Sequence, residues 1–207
     1  CLICFQGFIG WYMVSSGLVE RVDVSHFRLS IHLIIAFLII SLILWSYFNL
    51  KLKYNFNKNL KYLLPLIFLT LIYLQIIIGA FVSGMDAGKI YNSWPLMGSN
   101  YFPDDNNYIN LFKLSAFSDP SLVQFIHRNL AYLILIFYLI LLFKIYSNKL
   151  VNLYLSINLL GIFLIIQIIL GIFTLLYGAQ IIVASMHQIS SIFLVSFSVY
   201  FLYLNSN

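Results

Sequence analysis

The chain has 207 residues, of which 62% are hydrophobic and only 8% are charged. Soluble domains carry about 25% charged residues, so this composition excludes a soluble globular protein and indicates an integral membrane protein. The formal net charge is +5, but most of the lysines lie in short connections between apolar stretches, which argues against a nucleic-acid partner.

Six apolar stretches are long enough to cross a bilayer as helices, which takes roughly 20 residues. A backbone in lipid must satisfy its hydrogen bonds internally, so the choice is between helices and a closed barrel. These stretches are too long for barrel strands and lack strict alternation. We therefore predict an all-α integral membrane protein with six transmembrane helices, at residues 1–18, 27–48, 62–83, 122–146, 150–177 and 184–204.

The charged residues predict how these helices are oriented. Six of the eight lysines lie in two short connections that contain no acid, namely Lys51, Lys53, Lys58, Lys61, Lys144 and Lys149. All six acids lie in the connections that alternate with these two along the chain, namely Glu20, Asp23, Asp86, Asp104, Asp105 and Asp119. Because positive residues mark the inner side, residues 49–61 and 144–152 are predicted to face the cytoplasm or matrix. Residues 19–26, 84–121 and 178–183 are predicted to face outward.

A repeated motif occurs in the first and fifth helices. Gln6 and Gly10 lie in QGFIG, and Gln167 and Gly171 lie in QIILG. Each motif is followed by a helix with a histidine near its start, which indicates two copies of one helical hairpin. The same spacing occurs again in LQIIIG, where helix packing is the simpler interpretation: the small residue lets helices approach closely, and the amide bonds a neighbour.

The repeat predicts two halves. Residues 1–48 are predicted to be the last two helices of an N-terminal four-helix half, residues 49–61 a cytoplasmic connection, and residues 62–204 a complete C-terminal half with a long outer loop at 84–121. A unit with an even number of helices repeats in the same orientation. We therefore predict two four-helix bundles in parallel repeat, eight helices in the full protein, and a further histidine-bearing helix upstream of Cys1.

Three histidines lie near the outer ends of helices that run inward. His32, His127 and His187 each fall about four to six residues into a predicted span, which places them roughly 5–9 Å below the outer surface. A membrane histidine can serve packing or a proton relay, whereas two imidazoles on different helices also suit a heme iron. His26 is expected in the outer connection, in contact with solvent.

Two arginines and two glutamines accompany these histidines. Arg28 lies one turn before the first histidine, and Arg128 directly follows the second. Both are candidates for binding heme propionates, with snorkelling to the interface as the alternative. Gln124 and Gln188 are candidates for orienting a histidine ligand, although helix packing explains them as well.

The chain resembles heme A synthase over nearly its whole length, in the branch found in mitochondria and related bacteria. The resemblance rests on ordered segments: QGFIGWYMVSSGLV, VSHFRLSIHL, LQIIIGAFVSGMDAGKIYNSWPLMG, VQFIHRNLAY, QIILGIFTLL and MHQ. It implies an eight-helix protein in two four-helix halves, of which this chain is an N-terminally truncated part. Asp119 stands where the family pattern leads us to expect Asn, and we expect this difference to alter a loop contact only.

The resemblance implies an oxidoreductase that converts the C8 methyl group of heme O to the formyl group of heme A for cytochrome oxidase assembly. Hydroxylation is successive, with water as the proposed oxygen source. His127 and His187 are implied to be the axial ligands of the iron of a heme b cofactor. His32 is implied to hold the substrate heme with a histidine outside this chain.

The implied location is a bacterial inner membrane, with the mitochondrial inner membrane as the alternative, and the histidine sites near the outer, periplasmic face. Expected partners are heme O, heme O synthase, an electron acceptor, membrane lipid and a second copy of the chain. Two other interpretations remain open. A bis-histidine heme also serves a b-type membrane cytochrome that only transfers electrons, and histidines can relay protons in a transporter or assembly factor.

Overall fold

The computed structural model describes residues 1–15, 24–52 and 60–206. Within these ranges the chain forms six α-helices and no β-strand: α1 (Leu2–Ser15), α2 (His26–Lys51), α3 (Leu63–Gly84), α4 (Pro120–Ser147), α5 (Tyr154–Leu176) and α6 (Ile181–Ser206). The helices α2 to α6 are long and apolar enough to span a membrane. The prediction of an all-α membrane protein is therefore confirmed.

The first predicted span, residues 1–18, corresponds to α1, a shorter apolar helix. The rest of that span, most of the predicted connection at 19–26 and much of the connection at 49–61 lie outside the described residues. Among the charged residues used to predict the topology, Glu20, Asp23, Lys53 and Lys58 also lie there. The eight-helix organisation in two halves stays a prediction.

Local sequence signals explain where two of the helices begin. Asp119 caps α4, because its carboxylate accepts a hydrogen bond from the backbone N–H of Leu122 at 3.0 Å. Pro120 follows in the first turn, where its missing N–H costs no helical hydrogen bond. Pro65 occupies the first turn of α3 for the same reason. Since Asn and Asp are about equally good caps, the Asp at position 119 keeps the helix start that the family pattern expects.

The last four helices pack as a ring in which each contacts the next: α3 with α4, α4 with α5, α5 with α6, and α6 with α3. The helices α4 and α6 therefore stand at opposite corners. Buried apolar side chains from all four helices, including Phe68, Leu141, Leu160 and Val195, belong to one cluster. Outside this ring, α2 packs against α3 and α6, and α1 packs against α2.

The outward surface of the bundle is apolar, as contact with lipid requires. Leu42, Phe143 and Ile165 are among its exposed side chains. Polar groups inside the bundle find partners in the protein: the hydroxyls of Ser41 on α2 and Tyr73 on α3 lie 2.6 Å apart. These pairings satisfy polar atoms where lipid offers no hydrogen bonds.

The contact between α4 and α5 depends on a missing side chain. A Cβ atom at Gly161 would overlap the hydroxyl of Tyr138. Tyr138 is only 7% exposed, and its hydroxyl donates a hydrogen bond to the carbonyl of Ile157 at 3.3 Å. Glycine therefore allows the two helices to approach closely around a buried ring.

Replacing Gly161 with Ala is expected to lower the free energy of unfolding by about 1–3 kcal/mol, because the Tyr138 ring must leave a packed position. The measurement is reversible unfolding of the purified full-length protein in mild detergent. Gly7→Ala is the matched control, since no described atom lies within 4 Å of a Cβ at that position. Equal destabilisation by the two substitutions would contradict the packing role of Gly161.

Candidate functional site

The three histidines predicted from the sequence occupy equivalent positions in the bundle. His32 is the seventh residue of α2, His127 the eighth of α4 and His187 the seventh of α6. Consecutive helices alternate in direction, so α2, α4 and α6 all begin at the same end of the bundle. At about 1.5 Å per residue, the three imidazoles lie near one level, about two turns from that end.

Each imidazole lies in a niche formed by the preceding helix. At His127, the side-chain Nε2 of Gln75 lies 3.2 Å from the ring Nε2 and donates a hydrogen bond to the His127 carbonyl at 3.0 Å. Gly79, one turn further along α3, faces the edge of the ring, where a Cβ would lie 3.1 Å from Cε1. One turn of α3 thus supplies both a hydrogen bond and room for the imidazole. We call this arrangement a glutamine–glycine niche.

The same niche occurs twice more. The second and third niches consist of Gln6, Gly10 and His32, and of Gln167, Gly171 and His187. In both, the amide nitrogen lies 3.3 Å from the ring Nε2, and a glycine Cβ would lie 3.0 Å from Cε1. The LQIIIG motif has the close helix contact and the bonded amide expected of it, and the neighbour is His127, so this motif builds the same niche as the other two.

The second nitrogen of each imidazole is buried and unpaired. Nδ1 of His32, His127 and His187 makes no hydrogen bond within the described part of the chain. Most buried polar atoms in proteins have a hydrogen-bond partner. Each ring therefore has Nε2 beside an amide and a buried Nδ1 without a partner in the described residues.

The helix packing brings two of the three histidines together. His127 and His187 lie on α4 and α6, the helices at opposite corners of the ring. His32 belongs to the niche between α1 and α2, which pack outside the ring. The structure therefore separates one histidine from two that share the four-helix ring.

Arg128 fastens the long connection, residues 85–119, to α4. Its guanidinium donates hydrogen bonds to the carbonyls of Tyr91, Ser93 and Leu96 at 3.0, 2.9 and 3.2 Å. An arginine has five N–H donors, and Nε of Arg128 is buried without a partner among the described residues. Arg128 thus combines a structural role with an unused buried donor.

Two further side chains on α4, at four-residue spacing from Arg128, also bind the connection. Gln124 donates to the carbonyl of Tyr91 at 3.1 Å, and the hydroxyl of Tyr132 accepts a hydrogen bond from the indole of Trp94 at 2.9 Å. Gln124 therefore contacts the connection, and the amides beside the imidazoles come from the Gln-x-x-x-Gly motifs instead. Gln188, the other candidate for orienting a histidine, is exposed.

A carboxylate strengthens this attachment. Partial burial raises the pKa of the Asp105 carboxyl, but the hydrogen bonds that Ser121 and Tyr91 donate to it outweigh burial and hold the pKa below its usual range. A depressed pKa contributes stability that is present above the unfolded value, about 3.9, and is lost as the pH falls through the folded value. The connection therefore stays fastened at neutral pH.

The remaining predicted contacts lie on α2. The guanidinium of Arg28 is 4.4 Å from the ring centroid of Tyr12 on α1. His26 is the first residue of α2, not part of a connection, and its ring packs edge-on against Phe81 with the centroids 5.2 Å apart. The expectation that His26 contacts only solvent therefore differs from the structure.

These features define a class: a multi-pass α-helical membrane protein whose partly buried histidines lie at one level in glutamine–glycine niches. The chain belongs to the family described as cytochrome oxidase assembly protein, COX15-CtaA, which matches residues 1–199.

The chain is similar to several proteins named "Heme A synthase". It is 48% identical over 206 residues to the protein of Pelagibacter ubique. That alignment covers 100% of this chain and 61% of the relative. It is 45% identical over 205 residues to that of Rickettsia felis and 44% identical over 202 residues to that of Wolbachia pipientis, covering 94% and 95% of this chain. The chain spans only 59% and 56% of those two relatives. No solved structure gave a significant match.

The niche predicts coupling between Gly79 and His127. Gly79→Ala is expected to lower the free energy of unfolding of the full-length protein by about 1–3 kcal/mol, because the added methyl group presses on the imidazole. In a His127→Ala background the same substitution should cost little, so that the two changes are strongly non-additive. The measurement is a double-mutant cycle of unfolding in detergent. Additive effects would show that the ring does not fill the space beside Gly79.

Proposed function

We propose that the full-length protein is a heme A synthase, an inner-membrane oxidoreductase that converts the C8 methyl group of heme O to the formyl group of heme A for cytochrome oxidase assembly. One observation carries the proposal: a partly buried histidine in a glutamine–glycine niche recurs at one level in three helices. The family and the names of the relatives give this observation its context. The activity is assigned to the full-length protein, because this chain spans 56% to 61% of those relatives.

We assign His127 and His187 as the axial ligands of a heme b cofactor. They lie on helices at opposite corners of one ring, and each has its ring Nε2 beside the amide of a niche glutamine. Within the described ranges, no three His, Cys, Asp or Glu side chains come together as a metal site. Two imidazoles nevertheless suffice for a heme iron, since the porphyrin supplies the other ligands. The residues present therefore fit a heme better than a bare metal ion.

His32 is assigned to the substrate heme. Its niche repeats those of His127 and His187 but lies between α1 and α2, outside the ring. We propose that its partner histidine lies in the part of the protein upstream of Cys1, on a helix that resembles α4. The substrate and the cofactor would then occupy different halves of the protein.

The arginines are assigned to heme propionates. Nε of Arg128 is a buried donor, and Arg128 lies next to His127 at the end of the bundle that carries the long connection. A guanidinium binds carboxylates through charge-assisted hydrogen bonds. Arg28, one turn before His32, is assigned the same role for the substrate heme. The propionates would lie toward the outer, periplasmic face, as the charge distribution predicts.

Conversion of a methyl to a formyl group with water as the oxygen source releases four protons and four electrons. A bound heme b supplies one-electron redox chemistry, and the protein provides ligands, orientation and a pocket shielded from solvent. The electrons then pass to an acceptor outside the chain, and heme O comes from a heme O synthase. In this scheme His127 and His187 hold the cofactor, and His32 orients the substrate.

The test of the reaction is co-expression of the full-length gene with a heme O synthase in a host that lacks heme A, followed by chromatography of the extracted hemes. Heme A or its hydroxylated precursor is expected. A protein that binds heme but forms neither product would be a b-type cytochrome restricted to electron transfer. A protein that binds no heme at all would favour a proton relay.

The test of the site uses three alanine variants of the full-length protein. His127→Ala and His187→Ala are each expected to abolish the low-spin heme signal, because one axial ligand is lost. His32→Ala is the matched control, since it removes an imidazole from an equivalent niche; it should keep the low-spin signal and reduce formation of heme A at least tenfold. Absorbance and electron paramagnetic resonance provide the measurement. Loss of the cofactor in His32→Ala alone would reverse the assignment of the two halves.

A further inference from the structure

The orientation of the niche glutamine is determined by its surroundings. At His127, the amide nitrogen of Gln75 lies 3.0 Å from the His127 carbonyl and 3.2 Å from the ring Nε2. A carbonyl oxygen can only accept a hydrogen bond, so the amide atom beside it must be the NH₂ group and not Oε1. Gln6 has the same relation to His32, at 3.0 and 3.3 Å.

At His187 the neighbour of the amide is Ser190, whose hydroxyl lies within hydrogen-bond distance of both Oε1 of Gln167 and the His187 carbonyl and has a single proton to donate. Nε2 of the same amide lies 3.3 Å from the ring Nε2. The carbonyls of His127 and His32 thus place an NH₂ group, not an oxygen, against the imidazole in two niches, and we take the equivalent niche at His187 to share that orientation.

This orientation determines the tautomer of the imidazole. The NH₂ group has two hydrogens, and at His127 one goes to the carbonyl and the other to the ring Nε2. Nε2 must then accept, so the neutral ring carries its proton on Nδ1. The niche thus selects the tautomer whose lone pair is on Nε2, the outermost nitrogen of the side chain.

The glycine adds a second constraint. Gly79 and Gly171 lie four residues after Gln75 and Gln167, on the same helix face. A Cβ at either position would lie within 3.1 Å of a ring Cε1, so the ring edge rests against the helix backbone. The amide and the backbone together limit rotation of the imidazole.

We propose that Gln75 and Gln167 are positioning residues that prepare His127 and His187 for iron, by holding the Nε2 lone pair with an amide N–H until heme binds. This inference rests on the proposed function, because it takes these two histidines as heme ligands. Iron bound at Nε2 would take the place of this amide N–H, and at His127 the other amide hydrogen would stay on the histidine carbonyl. Without the amide, the buried ring has two accessible tautomers and a lone pair with no partner.

The first test compares four variants of the full-length protein. Gln75→Met and Gln167→Met keep the side-chain length but remove the hydrogen bonds. Each is expected to weaken heme binding roughly 10–100-fold, the usual effect of losing a group that orients a metal ligand, and to shift the midpoint potential of the bound heme. Heme titration of heme-depleted protein, followed by low-spin absorbance and redox titration, provides the measurement.

Two glutamines provide controls. Gln6→Met changes the His32 niche and should leave the low-spin cofactor signal and its potential unchanged. Gln124→Met removes a buried glutamine of α4 that donates to the connection and not to an imidazole, and it should also keep the heme affinity. Wild-type affinity in both Gln75→Met and Gln167→Met would overturn the inference, and so would an equal loss in Gln124→Met.

The second test needs no substitution and so does not depend on whether a variant folds. Nitrogen-15 magnetic resonance of histidine-labelled, heme-free protein should find the protons of His127 and His187 on Nδ1. Protons on Nε2 would overturn the inference. A wild-type protein that takes up no heme would overturn the proposed function, and the inference with it. A wild type that takes up heme while the methionine variants keep its affinity and potential would overturn the inference alone.

Discussion

The hydrogen-bonding demand of an imidazole in an apolar bundle is the constraint on which the interior of this protein depends. Lipid offers no partner to a buried ring nitrogen, so each histidine needs one on the neighbouring helix. A glutamine provides it in all three hairpins, at 3.2 or 3.3 Å from Nε2. The glycine one turn later keeps the two helices close enough for that bond. The histidine positions and the helix spacing are therefore two consequences of one contact.

The neighbouring residues His127 and Arg128 point in different directions from α4 and bind different parts of the protein. Successive residues of a helix point about 100° apart, given 3.6 residues per turn. His127 accordingly faces Gln75 on α3, whereas Arg128 faces outward and binds three carbonyls of the connection. One segment of α4 thus contacts both the Gln75 niche and the long connection, residues 85–119.

The three niches also show that the helical hairpin is the unit that repeats, with one niche in each hairpin. The pairs α1–α2, α3–α4 and α5–α6 each combine a Gln-x-x-x-Gly helix with a histidine helix, although their other side chains differ widely. In a heme A synthase this equivalence would serve two purposes, because the ring formed by α3 to α6 holds two histidines while the hairpin outside it offers a single histidine. The difference between the cofactor and substrate sites would then come from which hairpins meet and not from the design of the niche.

The sequence by itself determined the class of protein, the six helical segments and the level of the three histidines. Hydrophobic length and helical rise are local properties, so they can be read from consecutive residues. The motifs that resemble heme A synthase are likewise short, local stretches of sequence. The sequence also contained the Gln-x-x-x-Gly repeat, but spacing alone could not tell a packing motif from a niche, since both require a small residue at a helix contact.

Only the tertiary structure decided which side chains meet. Gln124 and Gln75 are equally plausible partners of His127 in the sequence, and the packing of α3 against α4 selects Gln75 while directing Gln124 to Tyr91. The ring of four helices similarly sets His127 opposite His187 and leaves His32 outside. Such choices depend on how helices far apart in the chain are rotated against each other. That rotation results from the packing of many side chains together, and no single stretch of sequence contains it.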